Sequence, residues 1–343
     1  MSQPSSALLP PYEPLPWLEP HWQRLWQTRS NGRLGHAMLL TGPAGIGKRH
    51  FADVLAAALM CTAPAADGMP CGVCADCKLV AAGNHPDLVH LGPDRESKSG
   101  EIKADAVREL CSKQSLTANR GPRSVLQIAP VEAMNPFAAN SLLKTLEEPA
   151  DSTLLILISE DPSRLPATVT SRCQRLTMLP PNAETAIAWL AGRLEYAEKS
   201  DLGLLLRLAH DAPLRALAAA DAHWVKLRDE HFRHFQAVAE GREDPLKAAA
   251  AWQQQEPTLV LEWLAGWVSD LLRIGRDRNA GYLNHPDLRA QLTSLSGRLR
   301  ADAAHRLLQQ ILKARSLATS TINKQLLFES LLVRWASVTT RTH

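Results

Sequence analysis

"HAMLLTGPAGIGKRHFADVLAAAL" (residues 36–59) passes from a buried-strand pattern through a glycine-rich loop into apolar residues recurring at helical spacing. Strand, loop and helix in that order form the frame of a phosphate-binding loop. Gly42, Gly45 and Gly47 allow close backbone approach to phosphates, and Lys48 adds a cation at a helix N-terminus. The next position breaks the pattern. Arg49 stands where a Ser or Thr hydroxyl would ligate Mg²⁺.

The runs at 87–93, 125–130 and 153–159 read as three further strands, bounded by Pro, Gly, Ser or charged residues. Helical spacing separates them, with Val107, Leu110 and Cys111 on one stripe and Ala139, Leu142, Leu143 and Leu146 on another before Pro149. This alternation predicts an α/β region: a mostly parallel sheet covered by helices. After "LPP" at 179–181 the pattern is helical almost throughout, with Val260, Trp263, Leu264, Trp267 and Leu271 on one stripe. That second half is predicted to be all-α, with an interhelical break at 241–245. Trp252, Trp263 and Trp267 read as core, because no dense basic stripe interleaves them.

At 343 residues the chain has room for two or three domains. Residues 1–15 are rich in Pro and lack the charged and apolar regions of a signal peptide, so they read as a loose tail and the chain as cytoplasmic. No apolar run approaches the roughly 18 residues of a membrane span. The balance of 38 basic and 35 acidic residues gives a net charge of +3, too small for a strong polyanion-binding field.

Hydrolysis needs a second set of parts, an acidic pair at the end of a later strand to hold Mg²⁺ and orient water. Here "VLQIAPVEAM" (125–134) puts Ala129 and Pro130 at that place, and Glu132 lies two residues further along. Intrinsic ATPase activity is therefore not expected. Two readings of the loop stay open: weak nucleotide binding, or a loop kept for its turn geometry alone.

The cysteines form a separate motif. Cys71, Cys74 and Cys77, with Cys61 upstream, supply four thiolates that can surround a tetrahedral Zn²⁺ of structural type. An iron–sulfur cluster and unligated thiols are the alternatives, although the further Cys and Pro of the bacterial ferredoxin run are absent. His85 could serve as a substitute ligand but reads as a loop residue in "GNHPD", and Cys111 and Cys173 read as core thiols.

"NSLLKTLEEPA" (140–150), "SEDPSRLPATVTSRCQRL" (159–176) and the cysteine module after the P-loop helix resemble the clamp-loader branch of the AAA+ ATPases. "PWLEPHWQRL" (16–25), the defective catalytic motifs and "INKQLLFESLLVRW" (322–335) are similar to a non-hydrolysing subunit of the bacterial DNA polymerase III loader. The resemblance covers about residues 16–335. It implies an AAA+ P-loop domain at 16–180 with a zinc insertion at 61–77, a helical lid at 181–220 and a C-terminal oligomerising collar at 221–343. It also implies a hetero-oligomer with gamma/tau-type ATPase subunits and a delta subunit, acting on a sliding clamp and primed DNA within the polymerase holoenzyme.

Ser171-Arg172-Cys173 matches the family's S-R-C motif, whose Arg reaches into a neighbour's ATP site. A guanidinium supplied in trans can stabilise charge on a transferring phosphoryl group. Arg164 and Arg175 read instead as surface or packing residues, and Lys144, Glu147 and Glu148 as a solvated helix face. Arg215 lies near the place of a second sensor Arg, but its local pattern departs from the usual form. An active AAA+ ATPase and a zinc-stabilised DNA-binding module are the competing function classes. Arg49, Ala129 and Pro130 argue against the first, and the near-neutral charge against the second.

Overall fold

The computed structural model describes residues 9–94, 100–114, 120, 123–150, 152–194, 199–317 and 323–339. The chain divides into a sheet-bearing unit, Met1–Tyr196 with Asp211–Ala218, and a helical unit, Ala197–His210 with Ala219–His343.

The first unit runs α1 (Glu19–Ser30), β1 (Ala37–Thr41), α2 (Lys48–Met60), α3 (Ala75–Ala81), β2 (Leu88–Leu91), α4 (Ala104–Gln114), β3 (Ser124–Ile128), α5 (Pro136–Glu147), β4 (Thr153–Ser159), α6 (Ala167–Thr170), β5 (Gln174–Thr177) and α7 (Ala183–Ala191). Among the described residues its five strands are all parallel, in the order β2-β3-β4-β1-β5. This is the expected parallel sheet covered by helices. Central β1 and β4 are buried along their whole length, as parallel strands covered on both faces must be. Leu39, Leu126, Ile128, Leu155 and Leu157 pack with α4 and α5 in one core, while the alternating Met38, Leu40, Ile156 and Ile158 are buried on the opposite face. Local signals set the helix starts. The Asn135 side chain caps α5 by accepting from the Ala138 N–H, with Pro136 in the first turn, and Asn182 accepts from Thr185 N–H to start α7.

Two features differ from the sequence reading. Gln174–Thr177 forms an edge strand that carries no apolar run, because its residues are mostly exposed. Residues 9–15 are not a loose tail: Leu9 and Leu15 are buried, the Tyr12 hydroxyl donates to the Cys77 carbonyl, and Glu13 pairs with Arg193. The remainder of that predicted tail, 1–8, lies outside the described residues.

The chain continues with α8 (Lys199–Leu208), α9 (Pro213–Asp221), α10 (Trp224–Ala239), α11 (Pro245–Trp252), α12 (Pro257–Arg276), α13 (Arg289–Ser296), α14 (Ala301–Leu317) and α15 (Lys324–Thr339). The segment 181–220 is divided between the units, α7 and most of α9 falling in the first and α8 in the second. In the helical unit α12 packs on α13 and α14, and α11 on α15. Trp252, Trp263, Trp267 and Trp335 are fully buried at its centre, and Trp335 stacks on Phe235 at 4.1 Å while donating to the Phe235 carbonyl. Trp252, Trp263 and Trp267 are core, as the sequence predicts. Buried Arg228 grips Asp287 through both terminal nitrogens, at 3.1 and 2.5 Å, and Asp229 through two more bonds. No helix among the described residues is long and apolar enough to cross a membrane.

Candidate functional site

A parallel sheet collects its loops at the carboxyl ends of the strands, where ligands bind in open α/β folds. Here that edge gathers the glycine loop after β1, residues 129–134 after β3, Glu160 and Asp161 after β4, and Met178 after β5.

Gly42, Gly45 and Gly47 all have positive φ, at 148°, 79° and 97°. The space a side chain would need at each is already taken. A Cβ at Gly42 would run into the Met178 carbonyl, one at Gly45 into Arg215, and one at Gly47 into Leu15. The Gly45 carbonyl also accepts from the Leu214 N–H at 3.0 Å, and the Ile46 carbonyl from the Trp17 indole at 2.8 Å. The Lys48 ammonium turns back on its own loop, donating to the Gly42 and Pro43 carbonyls at 2.8 and 2.7 Å. Burial pulls its pKa down, against the opposing pull of Glu160 and Glu132.

Arg49 extends to the end of β3 and donates to the Ala129 carbonyl at 2.7 Å. A cationic side chain thus bridges the two positions whose oxygens would hold a metal ion in a working P-loop enzyme. Glu132 is engaged elsewhere. One of its carboxylate oxygens accepts from the Glu160 and Asp161 amides at 2.8 and 3.2 Å, fixing the turn after β4. The missing oxygens are legible in the sequence. Leu15, Trp17 and Arg215, the groups packed on the loop, are not, because they are remote along the chain.

Arg172 follows α6 and precedes β5. Its guanidinium donates to the Thr168 carbonyl at 3.0 Å and to Glu147 at 2.6 Å, and the side chain stays about one-third exposed (36%). Glu147 is therefore a partner of Arg172 as well as part of an exposed helix face. Cys173 donates to the Val169 carbonyl, and burial pushes its thiol up to about 11. It packs on the same core as Cys111, as expected for core thiols.

The sulfurs of Cys61, Cys71, Cys74 and Cys77 all lie within 4.8 Å of one another, with Cys71 and Cys77 at 4.0 Å. A tetrahedral Zn–S₄ centre with bonds of about 2.3 Å has sulfur–sulfur edges of about 3.8 Å. Backbone N–H groups of Cys71, Cys74 and Cys77 donate to the sulfurs of Cys61, Cys71 and Cys74 at 3.3–3.4 Å, which helps to offset thiolate charge. The donor set and its spacing fit one metal ion. His85 does not join it: buried in the turn before β2, its Nδ1 accepts from the Asp87 N–H and its Nε2 lies 3.4 Å from Asp76.

The family described as "DNA polymerase III, delta subunit" matches residues 17–182, and "DNA polymerase III, delta subunit, C terminal" matches 222–337. The chain is 37% identical over 330 residues to the DNA polymerase III subunit delta' of Pseudomonas aeruginosa, covering 94% of this chain and 97% of that one. Identity to the delta' subunit of Escherichia coli is 30% over 321 residues, covering 93% and 94% of the two chains. The DNA polymerase III subunit tau of Escherichia coli is 36% identical over 144 residues, covering 42% of this chain and 22% of that one.

Proposed function

Because this chain belongs to the family of DNA polymerase III delta' subunits, we propose that it is a non-hydrolysing stator of a clamp loader that lends Arg172 to a neighbour's ATP site. The observation that carries the non-hydrolysing role is the bridge from Arg49 to the Ala129 carbonyl. It spans the place of a catalytic metal, and Arg49, Ala129 and Pro130 have no side-chain oxygen with which to bind one. Lys48 is occupied by loop carbonyls and the loop glycines are packed over, so nucleotide occupancy is weak or nil.

The trans role rests on Arg172. A planar fork anchored on one side by Glu147 and Thr168, and open to solvent on the other, can meet phosphate oxygens presented by an adjoining subunit. Its partners in this reading are gamma/tau-type ATPase subunits and delta, with the sliding clamp and primed DNA reached through the complex. Zn²⁺ is the metal that four thiolates favour, and four protein sulfurs leave no open position for chemistry. Residues 221–343 supply the collar, and 181–220 corresponds to the lid.

The test is ATP turnover, stimulated by primed DNA and clamp, of a reconstituted loader carrying either wild-type protein or Arg172→Ala, after equal assembly has been verified. An arginine finger supplies about 10³–10⁵ in turnover at the site it serves. A large fall in the mutant, with no turnover by the isolated wild-type chain, is expected. Unchanged turnover removes Arg172 from catalysis, and turnover by the isolated chain ends the stator reading.

A further inference from the structure

The chain from Leu9 to Leu18 touches both the metal module and the phosphate loop. On the metal side, the Tyr12 hydroxyl donates to the carbonyl of the ligand Cys77. Just beyond, Trp22 of α1 donates to the Asp67 carbonyl at 3.0 Å, inside the loop that carries the cysteines. Gly68 lies so tightly under the Trp26 ring that no Cβ could be placed there, and its φ of 85° also favours glycine. Trp22 stacks on Trp26 and stands edge-on to Phe51 of the P-loop helix. The metal loop is thereby fastened to the strap and to the helix that follows it.

On the loop side, the Glu13 carbonyl meets His50 at 2.6 Å, Trp17 donates to the Ile46 carbonyl, and Leu15 and Leu18 fill the space beside Gly47. Any phosphate seated on the amides of this loop has to displace these groups or pass beside them. Leu9, Leu15 and Leu18 of the strap are buried, but residues 10–15 form no helix or strand of their own, so side-chain contacts hold them. The strap's position therefore depends on what it is fastened to.

We propose that the four-cysteine module is a latch: with metal bound it holds residues 9–18 over the phosphate loop, and on metal loss the strap loosens and the loop becomes accessible to a nucleoside di- or triphosphate. This rests on the reading of the loop as closed in the metal-loaded protein. The physical link is short. Without metal, mutually repelling thiolates or desolvated thiols no longer fix the 61–77 loop, so the Tyr12, Trp22 and Trp26 contacts lose their anchor.

The experiment uses full-length protein with counted metal. A fluorescent ADP analogue is titrated into metal-loaded and chelator-stripped protein, and amide hydrogen exchange is followed at 9–18 and 42–48. Apparent affinity scales with the fraction of open molecules, so stripping is expected to tighten binding about tenfold or more and to speed exchange in both segments. Tight binding by the metal-loaded chain overturns the closed-loop reading itself. No binding in either form, with unchanged exchange at 42–48, overturns the latch and leaves that reading intact. Tyr12→Phe, which retains its metal, covers the case in which stripping unfolds the unit. Losing one hydrogen bond is expected to speed exchange about fivefold at 9–18 and 42–48, and unchanged rates in this variant overturn the latch.

Discussion

Arg49 and Arg172 have opposite tasks in the proposed stator: the first is held by a carbonyl of its own chain, and the second serves a neighbour. Arg49 is turned inward onto a backbone carbonyl, so restoring the P-loop hydroxyl with Arg49→Thr creates no motor: Ala129 and Pro130 still offer no side-chain oxygen. We expect no ATP turnover from that variant. We also expect a stability loss of about 1–3 kcal/mol from the stranded Ala129 carbonyl, read from urea unfolding. Arg172 is partly exposed, and its proposed use lies in the fork. Arg172→Lys keeps the charge but loses bidentate geometry, so the loader carrying it should turn over nearly as slowly as with alanine. The missing catalytic oxygens can be read from the sequence residue by residue. The contact that replaces them cannot, because it joins a side chain to a carbonyl 80 positions away.

Among the elements, legibility follows burial. β1, β3 and β4 stand out as apolar runs because helices cover both sheet faces, whereas β5 has a mostly exposed edge and therefore no such run. The cysteine module is visible because metal chemistry dictates both residue type and spacing. The strap at 9–15 reads as a tail because proline-rich composition is shared by linkers and by segments held through distant partners, here Cys77, His50 and Arg193. In the helical unit α12 carries the heaviest core load, with Trp263 and Trp267 both buried. Trp267→Ala should cost about 3–5 kcal/mol, measured as a shift in the urea midpoint of that unit. A midpoint unchanged within error would mean that the aromatic cluster is not its core.

At the scale of the whole molecule, two units with separate cores should each have a urea midpoint of its own. In the helical unit, burial holds both His231 and His285 below the usual histidine pKa. A depressed folded-state value means that the unfolded chain takes up the proton first. Their stability contribution is therefore complete above about pH 6.5 and is lost as the pH falls from there toward the folded-state values. The urea midpoint of the helical unit should drop between about pH 7.5 and about pH 5.5, and replacing both histidines with Gln should flatten that slope. The bridge from Arg49 to Ala129 also ties two positions into one unit. Replacing Arg49 alone strands a carbonyl, whereas introducing a carboxylate at 129 alone gives the guanidinium an ion-pair partner in place of a metal. Neither single change assembles a metal site, so the two positions act as a double lock that opens only when both are exchanged together.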